Sequence, residues 1–292
     1  MDDFVEQAWR LVLRREPDPE AAERLARGDV SRARLIRELV TSREFELIEL
    51  LDDGLARARL ERSRGGRPRE LLAPAWSDER AIEIPWTLSR YAGERRVLDV
   101  GTVNAIAAHV EGLRDLGAPE LVTVDLAEGA DVVADVRSLP FPDGHFDLVF
   151  CISTLEHVGG DNAVYGVDSA RGGGGHEAAL RELHRVLAKD GRLLLSVPTG
   201  VSEDFGWWLQ RPPREWIALF EESGFVVYED ELYLRAADGW RTATLAEAEA
   251  AHYDECAGAV LLAELRPARV GGKIRLALRD ARRPGEPRRS TA

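Results

Sequence analysis

The first 61 residues carry apolar side chains at the spacing of amphipathic helices. In one segment these residues are Val5, Trp9 and Val12, and in a later segment they are Leu35, Ile36 and Leu39. A 3.6-residue period places such positions on one face of a helix. The segment Glu16–Pro19 breaks the pattern, because proline ends or opens a helix and does not continue one. Residues 1–61 are therefore predicted to form a small all-helical domain.

The pattern changes at about residue 78. Residues 62–77 include a run of arginine, glycine and proline and are predicted to be a linker. Beyond them, short apolar runs alternate with helical patterns, which is typical of a parallel sheet with helices on both faces. The predicted strands are Arg96–Val100, Leu121–Asp125, Val132–Ala134, Phe146–Cys151, Arg192–Val197, Phe225–Glu231 and Ala259–Leu265, and the clearest helix is Glu177–Ala188. The sequence thus predicts an α/β domain over residues 78–270, followed by a basic, disordered tail over residues 271–292.

Composition excludes several classes of protein. With 292 residues, 45% of them hydrophobic, the chain can bury a large core. A net charge of −13 disfavours general nucleic-acid binding, which needs concentrated positive charge. The two cysteines do not make a disulfide framework, and we find no apolar run long enough to span a bilayer. A cytoplasmic protein that does not bind nucleic acid is expected.

The turn after the first predicted strand is the first candidate binding site. Asp99 and Gly101 lie at its carboxyl end, where open α/β sheets bind ligands. A glycine there lets the backbone approach a ligand closely. The residues after Gly101 do not complete a Gly-x-Gly-x-x-Gly phosphate cradle, so a dinucleotide is disfavoured. An acidic turn instead suits a ligand that carries positive charge.

The second predicted strand ends on another acidic residue, Asp125. A carboxylate at this place can accept hydrogen bonds from both hydroxyls of a ribose, as in enzymes that bind NAD. Asp125 therefore indicates adenosine binding without selecting the cofactor. A solvated strand end is the alternative interpretation.

A third region resembles a known family. Residues 134–158 (ADVRSLPFPDGHFDLVFCISTLEHV) are followed by LRELHRVL at 180–187 and GRLLLSVP at 191–198. This order resembles the class I S-adenosylmethionine (SAM)-dependent methyltransferases, in particular the branch that methylates small molecules. The resemblance covers roughly residues 80–265. It implies a Rossmann-like seven-stranded methyltransferase sheet, with SAM as cofactor and S-adenosylhomocysteine (SAH) as product.

The resemblance also implies a set of cofactor-binding residues. Asp135 would accept a hydrogen bond from the adenine amino group, and the Val136 N–H would bond an adenine ring nitrogen. Trp86 belongs to a leading helix that covers the SAM pocket in the family, although packing against the sheet also explains it. The full predicted set is Asp99, Gly101, Asp125, Leu126, Asp135, Val136 and Trp86. The family usually carries a second glycine where this chain has Val103.

His157 is the predicted catalytic residue. It follows the fourth strand and was expected at the start of a helix, where the helix dipole would favour the neutral imidazole that a general base requires. A structural role at the helix start is the alternative. Some relatives bind a divalent metal through a glutamate four residues before such a histidine, but here that position is Ser153. A metal held by Glu156, His157 and either Asp161 or Asp168 stays an open hypothesis.

The N-terminal domain and the loops bear on the acceptor. Residues 8–20 (AWRLVLRREPDPE), Leu35–Ile36 and Thr41–Phe45 resemble a bacterial domain of unknown function found in surface-glycan enzymes. This implies protein docking through residues 1–61. The glycine-rich connection 159–175 is predicted to be a lid or a disordered crossover. The insertion Leu232–Gly258 would wall an acceptor pocket together with aromatic residues near position 207.

The sequence therefore predicts methyl transfer to an O or N atom of a small polar acceptor. A sugar, nucleotide-sugar or glycan precursor is the leading candidate, by association with the helical domain and the aromatic residues. The alternative is a catalytically weak or inactive methyltransferase fold that serves as a binding or scaffold protein. An NAD-linked oxidoreductase is disfavoured by the missing phosphate cradle.

Overall fold

A computed structural model describes residues 3–17, 19–64, 71–102, 106–165 and 174–268. Four helices come first: α1 (Asp3–Val12), α2 (Pro19–Ala26), α3 (Arg32–Val40) and α4 (Arg43–Ser63). Helix α3 begins as predicted at Ser31, whose side chain accepts a hydrogen bond from the Arg34 N–H. Helices α1 to α3 and the start of α4 enclose a small apolar core around Trp9 and Leu35.

The rest of the described chain is a mixed sheet with helices on both faces. Its elements are α5 (Arg80–Leu88), β1 (Arg96–Val100), α6 (Ala107–Asp115), β2 (Glu120–Asp125), β3 (Val132–Val133), β4 (Phe146–Ile152), α7 (Gly175–Val186), β5 (Leu187–Thr199), β6 (Glu203–Asp204), β7 (Leu209–Gln210), α8 (Pro213–Glu222), β8 (Phe225–Ala236), β9 (Gly239–Thr242), α9 (Leu245–Glu249) and β10 (Ala259–Pro267). Two 3₁₀ turns, Leu155–His157 and Asn162–Tyr165, follow β4.

The strand order of the main sheet is β3-β2-β1-β4-β5-β10-β8-β9. Strands β1 to β5 pair in parallel, whereas β10 lies antiparallel between β5 and β8. The order reverses direction between β1 and β4, and this switch point opens a crevice at the carboxyl ends of the strands. The α/β fold class with a helical N-terminal region is confirmed.

Alternating side chains along the strands bury both faces of the sheet. Leu98 on β1 contributes to a core that includes α7 and α8 side chains such as Leu180 and Trp216. Its neighbour Val97 contributes to the opposite core, together with Trp86 of α5. The sheet is therefore the middle of three layers, and neither of its faces is left to solvent.

All seven predicted strands occur, with shifted boundaries. The third strand ends at Val133, β5 begins at Leu187, and the predicted helix Glu177–Ala188 lies at Gly175–Val186. The number of strands was wrong, because β8 continues to Ala236 and β9 adds an eighth strand. Sequence patterning missed β9 because it has only four residues, with Trp240 as its one fully buried large side chain.

The described residues of the predicted linker, 62–77, belong to a helix or pack against the sheet domain. Helix α4 continues to Ser63, and the Trp240 N–H of β9 donates to the Ala73 carbonyl oxygen at 2.7 Å. The Leu71 N–H donates to the hydroxyl of Tyr233 at 3.2 Å. Residues 71–77 therefore pack on the sheet domain, because backbone pairing and burial of Leu71 and Ala73 fix them there.

Helix α4 contributes to two cores. Ile48 belongs to the N-terminal core, whereas Leu51, Leu55 and Ala58 belong to the core of the sheet domain. The predicted domain boundary at residue 61 thus falls near the end of a helix that the two parts share. That residues 1–61 form a separate docking domain remains a proposal.

Some predicted features lie outside the described residues. They are Val103, residues 166–173 of the connection after β4, Asp168, and the tail 271–292. No helix in the described ranges combines the length and the apolar character needed to cross a bilayer.

We expect Leu51→Ala to destabilise the sheet domain by about 2–5 kcal/mol, since it leaves a cavity between α4 and α5. The side chain of Leu51 is 2% exposed, whereas Leu60 on the same helix is 49% exposed and provides the matched control, Leu60→Ala. Urea unfolding followed by near-ultraviolet circular dichroism measures both variants. Equal stabilities for the two would show that α4 is dispensable for the sheet domain.

Candidate SAM-binding and active site

A cavity of about 350 Å³ occupies the crevice at the switch point. It runs from the carboxyl ends of β1 and β2, past the end of β4, to the loop before β10. Its volume lies in the range of small-molecule sites. Five of the seven predicted cofactor residues line it, namely Gly101, Asp125, Leu126, Asp135 and Val136.

Gly101, in the turn after β1, packs closely against the loop after β4. Its φ of +87° is a left-handed conformation that favours glycine, and a Cβ there would lie 2.1 Å from Thr154 Oγ1. The Thr154 hydroxyl lies 3.1 Å from the Val100 carbonyl oxygen and 2.9 Å from that of Ile152. Thr154 thus bridges the two strand ends, and the missing Cβ makes room for this bridge at the cavity wall.

Asp99 does not line the cavity. It is 1% exposed and accepts a hydrogen bond from the Thr102 hydroxyl. Its Oδ1 lies 3.3 Å from Nε2 of His109, a residue that does line the cavity. The structure therefore makes Asp99 an anchor for the turn and for His109. Direct contact with a ligand was predicted and is not what the geometry provides.

Asp125 and Asp135 line one end of the cavity, as the sequence predicted. Asp125 Oδ1 accepts from the Ala127 N–H at 3.0 Å, which fixes the turn that carries Leu126. Asp135 accepts from the Arg137 backbone N–H at 2.8 Å and from its guanidinium. Partial burial raises the pKa of Asp135, but the hydrogen bonds and charge of Arg137 outweigh it and lower that pKa below its usual value. Asp135 is therefore a stable carboxylate.

Trp86 is not a cavity residue, and the prediction that it contacts the cofactor is wrong. It is 1% exposed and packs in the core against the sheet, with the Arg90 guanidinium 3.5 Å from its ring centroid. Residues Glu83 and Ile84 of the same helix line the cavity instead. Positions 83 and 86 are three residues apart and point to a similar side of α5, so Trp86 is separated from Glu83 mainly by about one turn of rise along the helix axis.

Glu83 was missed from the sequence, although an acidic residue in the apolar segment AIEIPW was a signal. It is fully buried, and the Ser153 hydroxyl lies 2.7 and 2.9 Å from its two carboxyl oxygens. Burial, with the nearby charge of Glu79, raises the pKa of Glu83 to about 8. Ser153 has a positive φ of 41°, an uncommon conformation for a non-glycine residue, directly at the end of β4.

His157 lines the cavity, as predicted for the catalytic residue. Its Nδ1 lies 3.2 Å from the Trp207 carbonyl oxygen, which can only accept, so Nδ1 carries the hydrogen and Nε2 the lone pair. Its ring stacks on the Trp207 ring, with 5.0 Å between centroids. Burial lowers the pKa of His157 to about 4, so the ring is neutral at pH 7.

His157 is neutral for a reason other than the helix dipole that the sequence suggested. The residue ends a three-residue 3₁₀ turn, Leu155–His157, and does not begin an α-helix. A turn this short has no appreciable macrodipole, and the pKa shift comes mainly from burial.

Aromatic side chains wall the other end of the cavity. Trp207, Trp208 and Tyr253 line it, and Tyr253 lies in the insertion predicted to do so. Trp208 stacks on Phe205 at 4.4 Å and meets Tyr253 edge-on at 5.0 Å. Trp216, by contrast, is fully buried and donates to the Pro198 carbonyl oxygen at 3.1 Å. His176 and His184 do not line this cavity.

Within the described residues, no group of three or more His, Cys, Asp or Glu side chains is arranged to hold a metal ion. Glu156 and His157 are adjacent at the cavity, with Glu156 Oε1 3.8 Å from His157 Nε2. Of the two candidates for a third ligand, Asp161 is exposed and does not line the cavity, and Asp168 lies outside the described ranges. The geometry thus offers a histidine beside a buried carboxyl group.

Comparison with known proteins gives a family for the middle of the chain. Residues 98–195 match a family model described as "Methyltransferase domain". This segment runs from β1 into β5 and includes Gly101, Asp125, Asp135 and His157. No curated protein matches the chain.

Several solved structures are distantly similar. A Burkholderia thailandensis 1,6-didemethyltoxoflavin-N1-methyltransferase, with its namesake ligand and SAH bound, is 17% identical over 59% of this chain and 71% of its own, with a TM-score of 0.41. The [4+2]-cyclase SpnF is 15% identical over 76% and 96%, with a TM-score of 0.45. The CcbJ methyltransferase from Streptomyces caelestis is 14% identical over 61% and 85%, with a TM-score of 0.38.

At such low identities the assignment rests on the matched segment and on the order of the strands. The segment matches a methyltransferase domain, and the sheet carries the parallel β3-β2-β1-β4-β5 half with an antiparallel strand beside it. Residues 98–195 therefore match a methyltransferase domain, and residues of this segment line the cavity at the ends of β1, β2 and β4.

Proposed function

We propose that this cavity binds SAM and that the protein transfers the methyl group to an O or N atom of a small polar acceptor. The continuity of the cavity carries the proposal. One end offers carboxylates suited to adenosine, and the other offers His157 and an aromatic wall. Gly101 and Thr154 lie between the two ends, where the methyl donor and the acceptor would meet.

The adenosine end fits its part of the ligand. Asp125 would accept hydrogen bonds from the ribose hydroxyls, with Leu126 against the sugar. Asp135 keeps lone pairs beyond those used by Arg137, since a carboxylate has about four acceptor positions. It would accept from the adenine amino group, and the Val136 N–H would meet a ring nitrogen. Gly101, without a Cβ, supports the fit of the methionine portion.

Bound SAM supplies an electrophilic methyl group, and this chain's residues position the acceptor and hold its proton. The hydrogen bond from Nδ1 to the Trp207 carbonyl oxygen fixes the His157 tautomer and leaves Nε2 as the acceptor nitrogen. A buried, neutral imidazole beside the acceptor end suits general-base assistance. Positioning by the aromatic wall contributes as well, because methyl transfer is an in-line displacement.

The aromatic wall favours an acceptor with a ring, and a sugar or glycan precursor is our proposed class. Trp207, Trp208 and Tyr253 line the cavity with aromatic rings of the kind that sugars contact, and Phe205 stacks behind Trp208. A nucleotide-sugar is the less favoured form, because acidic residues outnumber arginines along the cavity. A phosphate would be repelled there.

Asp125→Ala should weaken the binding of both SAM and SAH about tenfold to a hundredfold. Each hydrogen bond to a charged acceptor contributes about 1.5–3 kcal/mol. Isothermal titration calorimetry measures the change, and Asp143→Ala, at a carboxylate whose side chain is 83% exposed, is the matched control. Binding of NAD without binding of SAM or SAH would contradict the proposed cofactor.

His157→Ala should lower the rate of methyl transfer by about 10²–10⁴-fold and leave SAM affinity nearly unchanged, because a base acts only on the acceptor. Mass spectrometry of SAH formed with a panel of sugars and glycan precursors measures the rate, and His184→Ala is the control. Loss of SAM binding would assign His157 to the pocket wall. Unchanged turnover would show that positioning suffices, and no turnover in the unaltered protein would favour the scaffold alternative.

A further inference from the structure

Three neighbouring carboxyl groups line the cavity. Glu79 and Glu83 are four residues apart at the beginning of α5 and so lie on the same helix face. Glu156 belongs to the 3₁₀ turn after β4. All three line the cavity, and Glu83 and Glu156 are 0% and 2% exposed. We call them the acidic cluster.

The hydrogen bonds of the acidic cluster are incomplete. Glu83 accepts a hydrogen bond from the Ser153 hydroxyl, and Glu79 Oε2 accepts one from the Ala257 N–H at 3.2 Å. The Oε2 atom of Glu156 is buried without a hydrogen-bond partner. Such an atom is costly in a folded protein unless a ligand or a proton satisfies it. Glu156, which carries this oxygen, lines a cavity large enough for a small molecule.

The positive charge around the acidic cluster is also too small to neutralise its carboxyl groups. Among the described residues that line the cavity, the arginines are Arg80 and Arg137. Arg137 is paired with Asp135, and Arg80 lies 3.0 Å from Asp78 and 4.0 Å from Glu79. Arg80 therefore faces Asp78 in addition to the acidic cluster, so the carboxyl groups exceed the cations that could neutralise them.

Protonation offsets the excess of carboxyl groups in the acidic cluster. Burial raises the pKa of Glu79, Glu83 and Glu156, and in each case neighbouring carboxyl groups raise it further. A cation that entered the cavity would stabilise the carboxylates, lower these pKa values and release protons. The acidic cluster is thus suited to exchange protons for a bound positive charge.

The shape of the site favours an organic cation. The described residues hold no group arranged for a metal ion. An ammonium group donates three hydrogen bonds and carries a compact charge. Trp207, Trp208 and Tyr253 lie along the same cavity and would contact the carbon skeleton of an amine.

We propose that the acidic cluster binds the ammonium group of an amine carried by the acceptor substrate. The proposal rests on the proposed function, because it names the class of acceptor for the same site. The methionine portion of SAM also carries an ammonium group, so the same chemistry has a second source. The acceptor is favoured because Glu79 bonds to Ala257, in the wall that Tyr253 and Cys256 form, whereas the cofactor residues Asp125 and Asp135 lie on the opposite end.

The test uses the full chain saturated with SAH and two pairs of probes: cyclohexylamine with cyclohexanol, and ethanolamine with ethylene glycol. We expect each amine to bind at least tenfold more tightly than its neutral partner in isothermal titration calorimetry. Alkylamines are fully protonated at pH 7. Their binding should therefore release protons from the acidic cluster, which appears as a binding enthalpy that depends on the ionisation enthalpy of the buffer.

Glu79→Gln and Glu156→Gln should each abolish the preference for the amine, with little change in shape. Glu255→Gln, at an exposed carboxylate that lines the same cavity, should keep the preference and is the matched control. The probe pairs and the proton release are measured on the unaltered protein, so the test stands even if a variant fails to fold.

Equal binding of amines and neutral partners, without proton release, would overturn the proposal. The variants are also titrated with SAH and with 5′-methylthioadenosine, which lacks the amino-acid portion. If they lose affinity only for SAH, and amines show no preference, the acidic cluster serves the cofactor's ammonium and the acceptor assignment is wrong. If SAH does not bind the unaltered protein, the proposed function is wrong. Titration of the amines without SAH then still tests whether the acidic cluster binds an ammonium group.

Discussion

The close approach of Gly101 and Thr154 is the constraint on which the rest of the site depends. The strand order reverses between β1 and β4, so the loops after these strands diverge and leave a crevice. Thr154 bridges the two strand ends by contacting the carbonyl oxygens of Val100 and Ile152, and it fits only because position 101 has no Cβ. This one contact fixes the floor of the cavity and the start of the turn that carries Glu156 and His157.

Features set by local pattern could be predicted from the sequence. The seven strands follow from short apolar runs, and Asp125 and Asp135 follow from acidic residues at or after strand ends, where a parallel sheet gathers its ligand-binding groups. His157 was placed correctly at the cavity, but the cause of its neutral state was wrong because the length of a turn is not encoded in its first residues. Trp86 was predicted at the cavity from its place in the leading helix, but that helix presents Glu83 and Ile84 to the cavity, and Trp86 packs in the core.

Features that depend on distant parts of the chain could not be predicted. The pairing of Trp240 with Ala73 joins residues on opposite sides of the domain in sequence, and neither segment signals the other. Helix α4 has the polar and apolar residues of a surface helix, yet it contributes to two cores at once. The acidic cluster likewise combines a helix before β1 with a turn after β4. The pKa values of its three glutamates are raised only because the fold buries them near one another.

Burial of the acidic cluster also has a consequence for stability. Burying neighbouring carboxyl groups does not stabilise the folded state. Each group must either lose its hydration as a carboxylate or be protonated. The surrounding fold compensates in part, since the Ser153 hydroxyl and the Ala257 N–H bond to Glu83 and Glu79. Ser153 does so in a left-handed conformation. Strain at Ser153, desolvation of the carboxyl groups and an unpartnered oxygen of Glu156 thus occur together at the cavity wall after β4. A ligand that supplies positive charge there would relieve the last two.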